Sequence, residues 1–273
     1  MSETVIQVTS LGKRIKGKTI LEDISFEINK GDCVALIGPN GAGKTVLMSC
    51  ILGDKKPSSG QVLIDGKAGK AKNKIAVLLQ ENTIPNSLKV EELIAFFQSI
   101  SDNPLTNQEV QELLQFKEDQ YQQFADKLSG GQRRLLAFVL CLIDKPKILF
   151  LDEPTAGMDT STRQRFWEIV NDLKRAGTTI LYSSHYIEEV EHTADRILVL
   201  HQGKLIRDTT PYAMRHEEKE KQVTLPSSFV NIVHGLSDIY ELTEKRDVIS
   251  FMTKDIEKVW QSLEEAGCGI SEI

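Results

Sequence analysis

The chain carries Gly38-Pro39-Asn40-Gly41-Ala42-Gly43-Lys44-Thr45, which fits the phosphate-loop pattern G-x-x-x-x-G-K-[ST]. The apolar run Cys33-Val34-Ala35-Leu36-Ile37 before it predicts a buried strand, and residues 45–48 predict the start of a helix. Glycines let the backbone turn several N–H groups toward one anion, and a helix N-terminus adds a partial charge of roughly +0.5. A strand, this loop and a helix in that order therefore predict a binding site for phosphate groups.

The loop and the residue after it are the predicted phosphate contacts. Lys44 is long enough to reach the outer phosphates, and the Thr45 hydroxyl is a ligand for Mg²⁺. The alternative is a glycine-rich turn that binds nothing, and the intact Gly43-Lys44-Thr45 after a strand argues against it. The predicted nucleotide contacts in this region are Gly38, Pro39, Asn40, Gly41, Ala42, Gly43, Lys44, Thr45 and Val46.

A second apolar run, Ile148-Leu149-Phe150-Leu151, ends in the carboxylates Asp152 and Glu153. A strand end beside a phosphate loop would put Asp152 where it can hold Mg²⁺ directly or through water. Adjacent strand residues point to opposite faces, so Glu153 does not duplicate Asp152. The alternative is a pair of solvated carboxylates at a strand end, and the apolar run before the pair argues against it.

Composition limits the class of protein. The 273 residues carry a net charge of −6, with 40% hydrophobic and 26% charged residues, which is typical of a globular protein. The longest apolar run, residues 135–143, is shorter than the roughly 20 residues of a membrane-spanning helix, so we expect neither such a helix nor a signal peptide. The negative charge argues against broad nucleic-acid binding. The four cysteines fit no metal-site spacing, and we expect them to be reduced.

Short apolar runs alternate along the chain with segments whose apolar residues have helical spacing. Between about 85 and 145 the apolar residues have helical spacing, which predicts an all-helical insertion. Strands alternating with helices predict an α/β fold around a mostly parallel sheet that is covered on both faces. The predicted strands outside the insertion include 5–8, 20–28, 33–37, 62–66, 75–79, 147–151, 178–183 and 197–200, and the helices include 46–52, 161–175 and 186–193.

The organisation changes after residue 212. Residues 213–221 are rich in charge and are typical of a solvated helix or a linker. Residues 222–273 alternate strand and helix patterns, which predicts a small α+β domain. The predicted domains are therefore 1–212 and 222–273, joined by the charged segment.

The run Leu128-Ser129-Gly130-Gly131-Gln132 opens another helix, with its serine 85 positions after Lys44. A serine hydroxyl at the helix N-terminus, two glycine N–H groups and the helix dipole would all face outward. These groups form half of an anion site, which needs a phosphate from elsewhere. An ordinary helix cap is the alternative.

Together with the phosphate loop, Leu-Ser-Gly-Gly-Gln resembles the signature motif of the ATP-binding cassette (ABC) family, and the resemblance covers about residues 5–209. It implies a phosphate-loop NTPase core of RecA type, an N-terminal antiparallel β subdomain and an all-helical signature subdomain. The C-terminal α+β appendage and the run from Asp152 to Asp159 resemble bacterial ABC-2-type exporters of drugs or antimicrobial peptides. In this family the signature, here Ser129, Gly130, Gly131 and Gln132, closes over the γ-phosphate held by another subunit.

The resemblance also implies roles for polar residues at strand ends. It makes Glu153 the base that polarises the attacking water, and Gln80 a ligand of Mg²⁺ and of that water. It makes His185 a switch that contacts the γ-phosphate and orients Glu153. From the residues alone, the alternatives are that Gln80 is an exposed loop residue and that His185 is a structural histidine. The loop 81–87 would face a membrane partner.

Two further positions follow from the resemblance. Asp159, in Ala156-Gly157-Met158-Asp159, would cross the dimer interface, and it can also cap the helix that follows. Ile15 occupies the position where the family usually has an aromatic residue, most often tyrosine, that stacks on adenine. An aliphatic side chain packs on a purine without stacking, so we expect weak selectivity for adenine.

The resemblance implies an ATP-binding and ATP-hydrolysing subunit that powers a membrane transporter, with ATP and Mg²⁺ as cofactors. Its expected partners are a second ATPase subunit, in a head-to-tail homodimer, and separate permease subunits that hold it at the cytoplasmic face of the membrane. No nucleic acid is expected. Export of drugs, peptides or lipids is favoured over import. A soluble ABC protein of ribosomes or DNA is disfavoured, because the chain has one cassette with closely spaced motifs.

Overall fold

The computed structural model describes residues 3–68, 75–80, 84–85, 87–217 and 221–268. The chain forms two compact units, Met1–Pro211 and Tyr212–Ile273. The strands in the described ranges are β1 (Thr4–Ile15), β2 (Lys18–Asn29), β3 (Cys33–Ile37), β4 (Ser59–Ile64), β5 (Lys67–Ala68), β6 (Ile75–Leu78), β7 (Ile148–Leu151), β8 (Thr179–Ser184), β9 (Arg196–His201), β10 (Lys204–Thr209), β11 (Lys221–Pro226), β12 (Ile239–Glu244) and β13 (Val248–Thr253).

The helices in the same ranges are α1 (Lys44–Ile51), α2 (Val90–Ser99), α3 (Asn107–Leu114), α4 (Glu118–Tyr121), α5 (Gly130–Leu142), α6 (Thr160–Arg175), α7 (Ile187–Thr193), α8 (Pro211–Glu217), α9 (Val230–Val233) and α10 (Ile256–Glu265). Short 3₁₀ turns lie at Ala125–Lys127 and Ser227–Phe229. Much of the segment predicted as a charged linker is helix α8, and residues 218–220 lie outside the described ranges.

The main sheet of the larger unit has the order β10-β9-β3-β8-β7-β6, and its neighbouring strands are parallel except for β9 and β10. Every residue of β3, β7 and β8 is buried, as expected for strands covered on both faces. The predicted α/β class is confirmed. In the register of the sheet Ile37 pairs with Ser184, and Leu78 pairs with Leu151. The residues that follow β3, β6, β7 and β8 therefore share one edge of the sheet.

A second, antiparallel sheet of the larger unit has the order β2-β1-β4-β5, and β3 of the main sheet lies between β2 and β4 in the chain. Buried residues alternate with exposed ones over residues 23–28 of β2, which is the period of a sheet with one covered face. The covered face shares a hydrophobic cluster with β3 and with Leu47 and Met48 of α1. This packing fixes the strand, loop and helix that contain the phosphate-loop motif.

Helices α2 to α5 occupy the chain between β6 and β7, where the helical insertion is predicted. Aromatic rings connect α5 to the core: Phe138 of α5 lies 4.3 Å from Phe166 of α6, between ring centroids. Trp167 lies 5.1 Å from Phe166 and 5.1 Å from Tyr182 of β8. The helix that begins at the signature motif therefore packs on α6, which in turn contacts β8.

The smaller unit contains an antiparallel sheet of order β11-β13-β12 with α9 and α10. Its own hydrophobic cluster is formed by Val223, Leu225, Val233, Ile249, Phe251, Val259, Leu263 and Cys268. Its strands and helices lie between residues 221 and 265, and residues 269–273 lie outside the described ranges.

In the part of the chain that the structure describes, no helix has the length and apolar character needed to cross a membrane. No two cysteines among the described residues form a disulfide. Burial raises the pKa of the Cys33 thiol to about 12, so this side chain is inert as a nucleophile.

Candidate functional site

The phosphate loop joins the end of β3 to α1, as predicted. Gly38 and Gly43 have φ angles of 156° and 107°. A Cβ atom on Gly38 would lie 2.1 Å from the Leu200 carbonyl oxygen, and one on Gly43 would lie 2.7 Å from the Leu21 side chain. Gly38 has no room for a side chain because the close atom belongs to the backbone, and Gly43 has a φ that L side chains rarely adopt. Glycine at these positions lets the loop backbone lie directly on the strands beneath it.

Lys44, the first residue of α1, folds back over its own loop. Its Nζ donates to the carbonyl oxygens of Gly38, at 2.7 Å, and Pro39, at 3.3 Å. The side chain is 6% exposed, and its Nζ lies 4.0 Å from Oε1 of Glu153. A buried ammonium needs such partners. Phosphate oxygens in the loop would offer it stronger, charged acceptors.

A cleft of about 340 Å³ opens over the loop. Most of its lining was predicted to bind nucleotide or to act on it: Asn40, Gly41, Gly43, Lys44, Thr45, Val46, Gln80 and Glu153. Ile20 of β2 also lines the cleft, and no motif in the sequence pointed to it. The cleft is therefore lined mainly by residues of the predicted site, with Ile20 as an additional apolar side chain.

The Glu153 carboxylate is the centre of the site. Gln80 Nε2 donates to Glu153 Oε2 at 3.2 Å, and His185 Nδ1 lies 3.7 Å from Oε1. These residues follow β6, β7 and β8, so the parallel sheet brings together the three side chains to which the resemblance gives catalytic roles. A carboxylate with an amide and an imidazole beside it can accept a proton from a water held between them.

Asp152 is held separately from Glu153. It is 2% exposed, and its Oδ1 accepts a hydrogen bond from Ser183 Oγ at 2.5 Å. The same hydroxyl accepts from the Glu153 backbone N–H at 2.9 Å. Ser183, in β8, was missed by the sequence reasoning. Its signal was a hydroxyl after the buried residues Ile180, Leu181 and Tyr182.

The oxygen donors of this edge suit Mg²⁺. Thr45 and Gln80 line the cleft, and Asp152 adjoins Glu153 in sequence. A hydroxyl, an amide oxygen and a carboxylate are hard ligands, which Mg²⁺ prefers, and that ion usually takes further ligands from phosphate and water. Among the described residues no group of three or more His, Cys, Asp or Glu could hold a metal. The donor set fits an ion that is shared with a nucleotide.

The signature residues lie away from the cleft of their own chain. Ser129 caps α5: its hydroxyl accepts from Gln132 N at 3.2 Å, and its N–H donates to Gln132 Oε1 at 3.1 Å. Ser129 and Gly130 are exposed, and neither they nor Gly131 and Gln132 are among the residues that line the cleft. The structure therefore leaves this helix end open to solvent.

Asp159 is the N-cap of α6. Its carboxylate accepts from Ser161 Oγ at 2.6 Å and from the N–H and hydroxyl of Thr162 at 3.0 and 2.7 Å. The hydrogen bonds from Ser161 and Thr162 hold the pKa of the Asp159 carboxyl well below its usual range. A Cβ on Gly131 would lie 3.1 Å from Asp159 Oδ2, so Asp159 adjoins the signature. Its capping role is observed, and its role in a dimer interface stays a prediction.

Ile15 is a further predicted site residue that lies apart from the cleft. It ends β1 and pairs with Lys18 across a hairpin. Its side chain is 37% exposed, and it is not among the residues that line the cleft. Whether it contacts a base stays a prediction.

The chain is similar to proteins of known family. A family model described as "ABC transporter" matches residues 21–156. The Nod factor export ATP-binding protein I of Rhizobium johnstonii is 33% identical over 228 residues, which cover 80% of this chain and 73% of that protein. The probable multidrug ABC transporter ATP-binding protein YbhF of Escherichia coli is 30% identical over 244 residues, which cover 85% of this chain. The match spans 42% of YbhF, less than half of its length.

A solved structure shows the same fold. CbiO1 from Clostridium perfringens, described as part of the ABC transporter complex CbiONQ, superposes with a TM-score of 0.68 at 26% identity. The superposition covers 79% of this chain and 92% of that one. These similarities, together with the phosphate loop, the signature and the clustered strand ends, show that the chain belongs to the ABC transporter family.

Proposed function

We propose that the chain binds and hydrolyses ATP as the nucleotide-binding subunit of a membrane transporter. The observation that carries this proposal is the convergence of Lys44, Gln80 and His185 on the Glu153 carboxylate, beside the phosphate loop. Phosphoryl transfer depends on positioned charge and on an oriented nucleophile, and these residues supply both.

Each group has a distinct part in the proposed reaction. The loop N–H groups and Lys44 hold the phosphates. Glu153 accepts the proton of the attacking water, while Gln80 and His185 orient that water. Thr45, Gln80 and Asp152 would hold Mg²⁺, which, when bound, neutralises charge on the phosphates.

The exposed signature supports a dimer. Ser129 and Gly130 present an exposed helix N-terminus and are not among the residues that line the cleft of their own chain. A second copy arranged head to tail would supply the phosphate, and each copy would complete the other's site. The dimer closes on ATP and opens after hydrolysis.

The named relatives support export. One is named for Nod factor export and the other is named as a probable multidrug transporter protein. We therefore assign this chain to an exporter of the ABC-2 type for drugs, peptides or lipids. Separate permease subunits hold it at the cytoplasmic face of the membrane.

Co-purification tests this function. The full chain is tagged in its native host, membranes are solubilised in mild detergent, and captured proteins are identified by mass spectrometry. We expect a polytopic membrane protein, together with Mg²⁺-dependent ATP hydrolysis by the captured complex. Recovery from the cytosol alone, with ribosomal or DNA-associated proteins, would contradict the assignment.

The side chain at position 15 predicts weak base selectivity. We expect the purified protein to bind ATP and GTP with similar affinity, because Ile15 offers no aromatic face. Ile15→Tyr should tighten ATP binding about two- to tenfold, which corresponds to ~0.5–1.5 kcal/mol of stacking. Equilibrium titration with both nucleotides measures this.

The matched control is Ile256→Tyr, which places the same ring at a position with the same 37% exposure in the smaller unit. It should leave both affinities unchanged. A hundredfold or greater preference of the native protein for ATP, roughly 2.7 kcal/mol, would show that other contacts select the base.

A further inference from the structure

Arg134 joins the signature helix to the two turns that carry Gln80 and Glu153. It lies in α5, two residues after Gln132. Its Nη1 donates to the carbonyl oxygens of Leu79 and Gln80, the latter at 3.1 Å. One edge of the guanidinium thus holds the backbone that follows β6.

The other donors of Arg134 reach the turn after β7. Nη2 donates to the Asp152 carbonyl at 3.1 Å, and Nε donates to the Pro154 carbonyl at 3.1 Å. The Glu153 carbonyl lies 3.5 Å from Nη2. One side chain therefore holds carbonyl oxygens on both segments that supply the Gln80–Glu153 pair.

Only arginine has the donors for this arrangement. A guanidinium presents five N–H donors in a rigid plane, whereas the lysine ammonium presents three at a single point. Burial lowers the pKa of the Arg134 guanidinium below its ordinary value, but an arginine side chain stays charged in proteins. The contacts are therefore charge-assisted and geometrically specific.

The turn after β7 needs such support. Glu153 has a φ of 44°, in the left-handed region that non-glycine residues rarely adopt. Such a conformation persists only where its surroundings impose it. Ser183 holds the Glu153 N–H, and Arg134 holds the carbonyl oxygens on either side of Glu153. The direction of the Glu153 carboxylate depends on the contacts of both Ser183 and Arg134.

We propose that Arg134 is a positioning residue for ATP hydrolysis, which fixes the Gln80–Glu153 pair to the signature helix. Ser129 and Arg134 lie at the two ends of the first turn and a half of α5. Arg134 thus connects the helix end that would face a second subunit to the segment that carries the Glu153 carboxylate in the same chain. This inference rests on the proposed function.

Steady-state kinetics of Arg134→Ala and Arg134→Lys test the proposal. We expect Arg134→Ala to lower kcat at least tenfold while the KM for ATP changes less than about twofold, because the phosphate loop is untouched. Arg134→Lys should recover part of the lost kcat, since its ammonium can hold one of the two segments.

Arg165→Ala is the matched control. Arg165 donates to the carbonyl oxygens of Leu113 and Glu112, at 3.1 and 2.6 Å, and so also ties a helix of the insertion to the core. Its loss should lower the melting temperature about as much as Arg134→Ala does, with kcat within twofold of the native value. An equal fall in kcat for both variants, or an unchanged kcat for Arg134→Ala, would overturn the proposal.

Hydrogen exchange by mass spectrometry gives a readout that does not need turnover. In nucleotide-free protein, Arg134→Ala should speed exchange in peptides that cover 75–80 and 150–158, and Arg165→Ala should not. Unchanged exchange in those peptides would refute the positioning role. Absence of hydrolysis by the native complex would instead refute the proposed function, while the exchange comparison would still decide the role of Arg134.

Discussion

Replacing Glu153 with glutamine is expected to lower kcat for ATP hydrolysis by a hundredfold or more and to leave nucleotide binding intact. The amide has nearly the same shape as the carboxylate but cannot accept a proton from water. General-base catalysis contributes about 10²- to 10⁴-fold to a rate. The Glu153 carboxylate is the acceptor on which Gln80 and His185 converge, whereas the proposed phosphate contacts lie in the loop backbone. Binding and turnover should therefore separate in this variant.

Phosphate release and size-exclusion chromatography measure the two effects. With Mg-ATP, Glu153→Gln should elute as a dimer, because the dimer does not open when ATP is not hydrolysed. Glu27→Gln is the control, since it makes the same substitution at an exposed position of β2. If Glu153→Gln hydrolysed ATP at a rate close to that of the native protein, Glu153 would not be the general base.

Much of the site could be predicted because its residues follow buried parallel strands. Such strands are continuous apolar runs, so their ends are visible in the sequence, and parallel pairing collects those ends at one edge. Gln80, Glu153 and His185 come from three such ends, and the structure puts their side chains within hydrogen-bonding or ion-pair distance. The resemblance to the ABC family implied the chemistry of these residues, and the sheet topology places their side chains together.

The supporting contacts could not be predicted in this way. Ser183 contacts Asp152 and Glu153 because of the register between β7 and β8, which no local pattern encodes. Arg134 contacts the two turns because α5 packs on the core through Phe138 and Phe166. Side-chain partners that are distant in sequence depend on tertiary packing, and a motif describes one segment at a time.

Lys44 also has contacts that its motif does not describe. The motif implies contacts of the lysine with phosphates, and in the structure its ammonium donates to the Gly38 and Pro39 carbonyl oxygens. A buried cation needs acceptors, and the backbone of its own loop supplies two of them. These contacts depend on the fold of the loop, which the motif pattern does not specify.

Replacing Lys44 with alanine is expected to weaken Mg-ATP binding a hundredfold or more and to abolish measurable hydrolysis. A hundredfold loss is roughly 2.7 kcal/mol, and hydrogen bonds to charged groups contribute about 1.5–3 kcal/mol each. The side chain lies at the floor of the cleft and is almost fully buried, so water cannot replace its charge at the phosphates. The loss should appear in affinity as well as in kcat, unlike that of Glu153→Gln.

Thermal unfolding with and without Mg-ATP measures the effect of Lys44→Ala on binding. At a nucleotide concentration of 100 times the native Kd, ligand binding stabilises the native protein by about 2.7 kcal/mol, whereas a variant that binds a hundredfold more weakly gains only about 0.4 kcal/mol. Lys174→Ala is the control, because Lys174 pairs with Asp195, away from the residues that line the cleft, and its removal should leave the nucleotide-dependent shift intact. An undiminished shift in Lys44→Ala would mean that the backbone N–H groups of the loop suffice to hold the phosphates, and that Lys44 acts on the chemical step alone.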